Sequence, residues 1–372
     1  MTATDRTAAV ARALDEAGLD ALVACSTSFH NFLSTDPVLV LSGFKPMGEC
    51  AAVVARDGRT ALVVTPAWDA ARATERSRLK TVVASDDLAE PITRVLAEWK
   101  IAPDRVGVAG LDTLPVEMDR RIASLLADKA VEVDALVLDL AKCKSPEEVE
   151  YARIAARVAE TGYERLKALA RPGMHEFELA AELYCAMREE GSDDNFLLVS
   201  ASQHNVAVRA PSRRIIEKGD VILAEITPSW NGQFAQICRS VVIGSPREKL
   251  VENYDLLCRI MRVGMQAAVP GATVAQVTRA MDAVFEQAGY GAYCRPPFMR
   301  VRGHGLGRLS SLPGDITVDN ETVLEEDMVF VMHPNQYLPE TGYLLCGEPV
   351  RFAGDGAAAL SGWMATLDSG AV

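Results

Sequence analysis

The sequence predicts an α+β domain preceded by a smaller α/β domain. Three observations carry that expectation. The chain has 372 residues, a length at which one hydrophobic core stops growing and a chain splits in two. Short apolar runs alternate with helix-like segments as far as residue 140. Beyond residue 143 the pattern becomes paired amphipathic helices separated by a hairpin. The expected division is residues 1–142 and 143–372.

Within the first division, a helical stretch near Thr7–Ala17 precedes the apolar run Asp20-Ala21-Leu22-Val23-Ala24. Two further runs, Ala51–Val54 and Ala61–Val64, are joined by Arg56-Asp57-Gly58-Arg59, and Asp-Gly is a strong hairpin turn. Runs at Thr81–Val83 and Val106–Val108 are separated by a helix-like segment near Leu88–Lys100, which completes a mixed sheet.

The second division opens on Ser145-Pro146-Glu147-Glu148, with Ser as N-cap, Pro at the first helical position and acid in the first turn. That helix runs to about Ala170, where Arg171-Pro172-Gly173 stops it, and a second runs from His175 to about Glu190. Asp220–Gly244 reads as two strands about the Asn231-Gly232 turn. Helices near Pro246–Ala268 and Val274–Gly289 follow. Strands are expected at Phe298–Arg302, Met328–Met332 and Leu344–Phe352, and little structure in the last twenty residues. Helix pair, hairpin, helix pair and strands suggest an internal duplication.

Composition narrows the functions. Apolar residues at 49% and charged residues at 24% describe a globular protein. A net charge of −13 argues against nucleic acid or a membrane surface, both of which are anionic. There is neither a membrane-length apolar run nor a basic-then-apolar start, so a cytoplasmic protein with reduced, buried thiols is expected. The eight cysteines include no CxxC pair, which disfavours zinc ribbons and thioredoxin-like chemistry. Five histidines, at 30, 175, 204, 304 and 333, bound any imidazole chemistry.

Six segments in order resemble the creatinase, prolidase and methionine-aminopeptidase superfamily, whose catalytic domain has the pita-bread fold. They are Lys144-Ser145-Pro146-Glu147-Glu148, Arg171-Pro172-Gly173-Met174 with Glu176, Gly219-Asp220-Val221, Gly303-His304-Gly305-Leu306-Gly307, Met332-His333-Pro334 and Gly347-Glu348. The resemblance also covers the first domain, which is similar to that of creatinase and prolidase. The Gly-His-Gly-Leu-Gly element is not a phosphate loop, since no helix signal follows it.

The superfamily's peptidases hold two divalent metals with two Asp, one His and two Glu. The resemblance places Glu225, Gln236, His304, His333 and Glu348 at those positions. With two carboxylates where about four charges are wanted, a dinuclear site is not expected. A His common at the mouth of the site is Arg209 here, and a second falls at Ser311. The five positions are expected to converge on one pocket, with an imidazole of His304 or His333 moving a proton, Glu348 or Glu225 setting its charge, and Gln236 orienting the substrate. Arg209, His204, Arg239 and Arg302 are the candidate substrate-binding residues: Arg209 for clamping a carboxylate, His204 on the same loop for the acid–base role of the lost His, and Arg302 and Arg239 on the same face, Arg239 resembling a structural Arg of the family. His30, Phe32 and Phe44 are candidate lid residues, because in creatinase-like dimers the first domain of one subunit covers the site of the other.

These residues imply hydrolysis of a C–N bond, as an amide, amidine or ring, in a small carboxylate-bearing molecule, without cofactor. A C–N or C–S lyase and a non-catalytic binding module are the alternatives. So is a hydrolase with one zinc, iron or manganese ion on Glu225, His304, His333 and Glu348. The resemblance implies a homodimer and a small-molecule substrate.

Overall fold

A computed structural model describes residues 3–27, 32–33, 36–126, 129–308, 312–354, 356–362 and 366–370. The chain divides into two compact units, Met1–Pro146 with Arg308–Ser310, and Glu147–Gly307 with Ser311–Val372.

The first unit runs α1 (Ala3–Glu16), β1 (Ala21–Ser26), α2 (Pro37–Ser42), β2 (Cys50–Ala55), β3 (Thr60–Val64), α3 (Ala70–Arg76), β4 (Thr81–Ala84), α4 (Ala89–Glu98), β5 (Val106–Ala109), α5 (Val116–Leu125), β6 (Val131–Glu132) and α6 (Asp134–Lys142). Its sheet has the order β4-β3-β2-β1-β5-β6. Strand β2 is antiparallel to both neighbours, while β4, β5 and β6 join in parallel, so the sheet is mixed as expected. Every residue of β1, β2 and β3 is buried, which explains their unbroken Ala and Val runs in place of alternation.

Helix α2 was not anticipated, because five apolar residues and a serine carry no helical period. Its signal lies at its ends. Asp36 accepts the Leu39 amide at 2.8 Å, Pro37 opens the helix, and Gly43 closes it at φ +70°. Phe44 follows directly and is 1% exposed, lying under the Arg72 guanidinium at 4.4 Å from its ring centre. It belongs to the first unit's interior, which does not suit the lid position considered for it. His30 lies outside the described residues.

The second unit runs α7 (Pro146–Leu169), α8 (Glu176–Glu189), β7 (Asp194–Ser202), β8 (Val221–Trp230), β9 (Gln233–Phe234), β10 (Ile237–Ile243), α9 (Glu248–Ala267), α10 (Val274–Gln287), β11 (Gly303–Gly305), β12 (Val329–Met332), β13 (Gln336–Leu338), β14 (Gly342–Leu344), β15 (Glu348–Ala353), β16 (Gly356–Ala359) and β17 (Asp368–Gly370). One sheet has the order β17-β10-β8-β7, with β9 on β8; another has β11-β12-β15-β16. Tyr163, Leu166, Leu179 and Leu183 of α7 and α8 are fully buried in one core with Ile222, Ala224 and Ile226 of β8.

Asn231 and Gly232 adopt φ of +48° and +75°, the primed turn that suits a hairpin. The return strand is interrupted: β9 ends at Phe234 and β10 begins at Ile237, so Gln236 sits in the gap. Two expectations are corrected. The strand expected at Phe298–Arg302 is replaced by the shorter β11, and the tail is structural. Strand β17 pairs in parallel with β10, Asp368 opposite Val241, and Tyr163 Oη donates to Asp368 Oδ2 at 2.8 Å.

Candidate active site

Glu225 lies on β8 opposite Cys238 of β10, and Cys238 in turn bridges to Gly347. His304 lies on β11 opposite Val331 of β12. Met332 is opposite both Gly303 and Glu348, so β12 carries His333 past the start of β15. Where these segments meet, a Cβ on Gly347 would stand 2.6 Å from Cβ of His333 and 3.0 Å from Cβ of Cys238. Only glycine permits that approach.

The side chains there have distinct fates. The rings of His304 and His333 lie edge to face, 5.5 Å between centres. The Arg302 carbonyl accepts the His333 amide at 2.9 Å, and the Gly305 carbonyl lies 3.0 Å from His304 Nδ1. Burial lowers both imidazoles below the ordinary value, His333 to about 3, so both are neutral at working pH. Nδ1 of His333 and Oε1 of Gln236 have no protein hydrogen-bond partner among the described residues. The Gln236 amide nitrogen lies 3.3 Å from Cys238 Sγ.

The two carboxylates differ. Glu348 is wholly buried and pairs with Arg239, Nη2 to Oε1 at 2.8 Å; its other oxygen accepts Ser361 Oγ. Glu225 is half-buried, and burial raises its carboxyl to about 7. Its hydrogen-bond contact is Asn335 Nδ2 at 3.5 Å. The Asn335 carbonyl oxygen accepts the Cys346 amide at 3.0 Å, which ties Glu225 to the turn before Glu348. Asn335 was missed; its signal was its place two residues after His333.

The arginines separate. Arg239 is 0% exposed and also donates to the carbonyls of Gly347 at 2.6 Å and Cys238 at 3.0 Å. Arg302 is 0% exposed, with Nε 2.7 Å from Asp282, Nη1 2.9 Å from Gln336, and its guanidinium 4.3 Å from the Phe285 ring centre. Full burial and partners inside the protein make both interior struts in place of substrate ligands. Arg209 and His204 are exposed on the segment after β7. Ser200 Oγ accepts the Arg209 amide at 3.2 Å, and His204 Nε2 lies 3.2 Å from Tyr337 Oη. Ser311 lies outside the described residues.

The fold is that of a two-domain protein of pita-bread type. The chain belongs to metallopeptidase family M24, whose model matches residues 150–359, and the creatinase/prolidase N-terminal domain matches residues 6–143. A Xaa-Pro dipeptidase of Pyrococcus furiosus is 27% identical over 87% of this chain and 90% of its own length. A creatinase of a Bacillus species is 25% identical over 90% of this chain and 82% of its own. The structure of a Xaa-Pro dipeptidase from Bacillus anthracis superposes with a TM-score of 0.85 at 21% identity, over 99% of this chain and 100% of that one.

Two expectations fall with these findings. Hydrolysis of a non-peptide C–N bond is corrected, since the chain's family is one of peptidases and the Pyrococcus relative is named for a dipeptide. The expectation of no cofactor is corrected at the level of the family, which is one of metallopeptidases. The donors at the resembled positions do not fit a pair of dications as they stand. Both oxygens of Glu348 are engaged, Gln236 is neutral, and among the described residues no three His, Cys, Asp or Glu are gathered to hold a metal. Moving Glu348 to an ion would leave Arg239 buried without its counter-charge.

Proposed function

We propose that the second unit hydrolyses the peptide bond of a short substrate, of the dipeptide kind for which its Xaa-Pro dipeptidase relative is named. The observation that carries this is Glu225. It is half-buried, its carboxyl is raised to about 7 by burial, and Asn335 orients it. A carboxylate titrating near neutrality is suited to take a proton from water and return it to the leaving nitrogen. Neutral His304 and His333 supply uncharged hydrogen-bonding groups to the site, and Gln236 Oε1 is an acceptor for a substrate amide. Arg209, exposed on its loop, suits the terminal carboxylate of a small substrate, with His204 beside Tyr337 at the same loop.

The test is hydrolysis of Xaa-Pro dipeptides against Xaa-Ala dipeptides and N-acetylated controls, with manganese, zinc or cobalt added and after chelation. Cleavage of free dipeptides is expected, and Glu225→Gln is expected to remove about a hundredfold or more of the rate. Folded protein that cleaves no dipeptide under either condition overturns the reading.

A further inference from the structure

Two thiols stand behind the site with no role in the proposed chemistry. Cys258 of α9 and Cys346, in the turn between β14 and β15, have their sulfurs 3.9 Å apart. Neither is in a disulfide, and their residue exposures are 6% and 0%. Disulfide formation needs the sulfurs to approach by about 2 Å, within the reach of side-chain rotation.

The position of Cys346 gives that contact consequences. Its amide donates to Asn335, whose side chain reaches Glu225. The next residue, Gly347, gives its carbonyl to Arg239, and the one after is Glu348. We propose that Cys258 and Cys346 are a redox pair whose disulfide fastens the Glu348-bearing turn to α9.

The oxidant class is a hydroperoxide, hydrogen peroxide being the simplest. The sulfur of Cys258, the more exposed, attacks one peroxide oxygen; the O–O bond breaks, one water leaves, and a sulfenic acid remains. The sulfur of Cys346 then attacks the Cys258 sulfur and expels the second water, its proton going with the departing oxygen. Two thiols and one peroxide give one disulfide and two waters. The bond tethers to α9 the turn whose Cys346 amide holds Asn335 against Glu225, and so restrains the carboxylate's support.

The test uses the full chain. Reduced protein is treated with hydrogen peroxide, freed of excess, denatured and alkylated without reductant, then digested and mapped by mass. A peptide pair linked through Cys258 and Cys346, two hydrogens lighter and lost after dithiothreitol, is expected. Recovery of both residues alkylated overturns the disulfide. The second arm rests on the proposed dipeptide hydrolysis: peroxide is expected to lower it about fivefold or more, reversibly, in wild type and not in Cys258→Ser. Equal loss in both overturns the switch. The map needs no substrate, so it decides the bond separately from the fate of the functional reading.

Discussion

Arg239 Nη2 lies 2.8 Å from Glu348 Oε1, and both side chains are fully buried. Burial raises the Glu348 carboxyl despite the neighbouring guanidinium, so desolvation outweighs the attraction at this pair. Removing one charge strands the other. Glu348→Gln is expected to destabilise the protein by about 3–5 kcal/mol in chemical denaturation. The paired change Arg239→Met with Glu348→Leu is expected to recover most of that loss. Additive losses in the double variant would show that the pair is not coupled.

Glu225 sets a pH dependence. Its folded value of about 7 lies above the ordinary 4.5, so the folded state holds the proton more tightly than the unfolded chain. Its stabilising contribution is complete below pH about 4.5 and is lost as pH rises to about 7. The size is bounded at about 3 kcal/mol and lowered by water reaching the half-buried carboxylate. Melting of wild type and Glu225→Gln from pH 4 to 8 checks this. The variant gains on wild type as pH rises; a constant difference contradicts the shift.

His333 acts in the opposite direction. Its value is lowered to about 3, so the stability it confers is present above the ordinary 6.5 and lost as pH falls toward about 3. His333→Gln is expected to flatten the acid limb of the same melting curves. An unchanged acid limb would mean that the imidazole is not held neutral by burial.

Gly347 admits no side chain. Gly347→Ala places a methyl 2.6 Å from Cβ of His333 and is expected to cost about 1–3 kcal/mol and to displace that ring. Denaturation reads the first effect and dipeptide hydrolysis the second. Full stability with full activity would contradict the close approach.

The last segment is testable by a single atom pair. Asp368→Ala removes the acceptor of Tyr163 Oη and is expected to cost about 1–2 kcal/mol, although Asp368 lies four residues from the end of the sequence. An unchanged denaturation midpoint would return the tail to the passive role that its composition suggests.

The sequence by itself determined the two-domain plan, the mixed sheet of the first unit, and the helices α7 to α10. Each has a local cause: an Asp57-Gly58 turn, a Ser145-Pro146 cap, an apolar period. Motif order also nominated Glu225, Gln236, His304, His333 and Glu348 as site candidates. The partner of each charge belonged to the tertiary structure alone. Arg239 and Glu348 are 109 residues apart, Cys258 and Cys346 are 88, and Tyr163 and Asp368 are 205. No local pattern encodes such pairs. They arise because tertiary packing brings distant helices and strands to one place, where a buried group must find its counter-charge or hydrogen bond, and that necessity makes Arg239 and Arg302 interior struts.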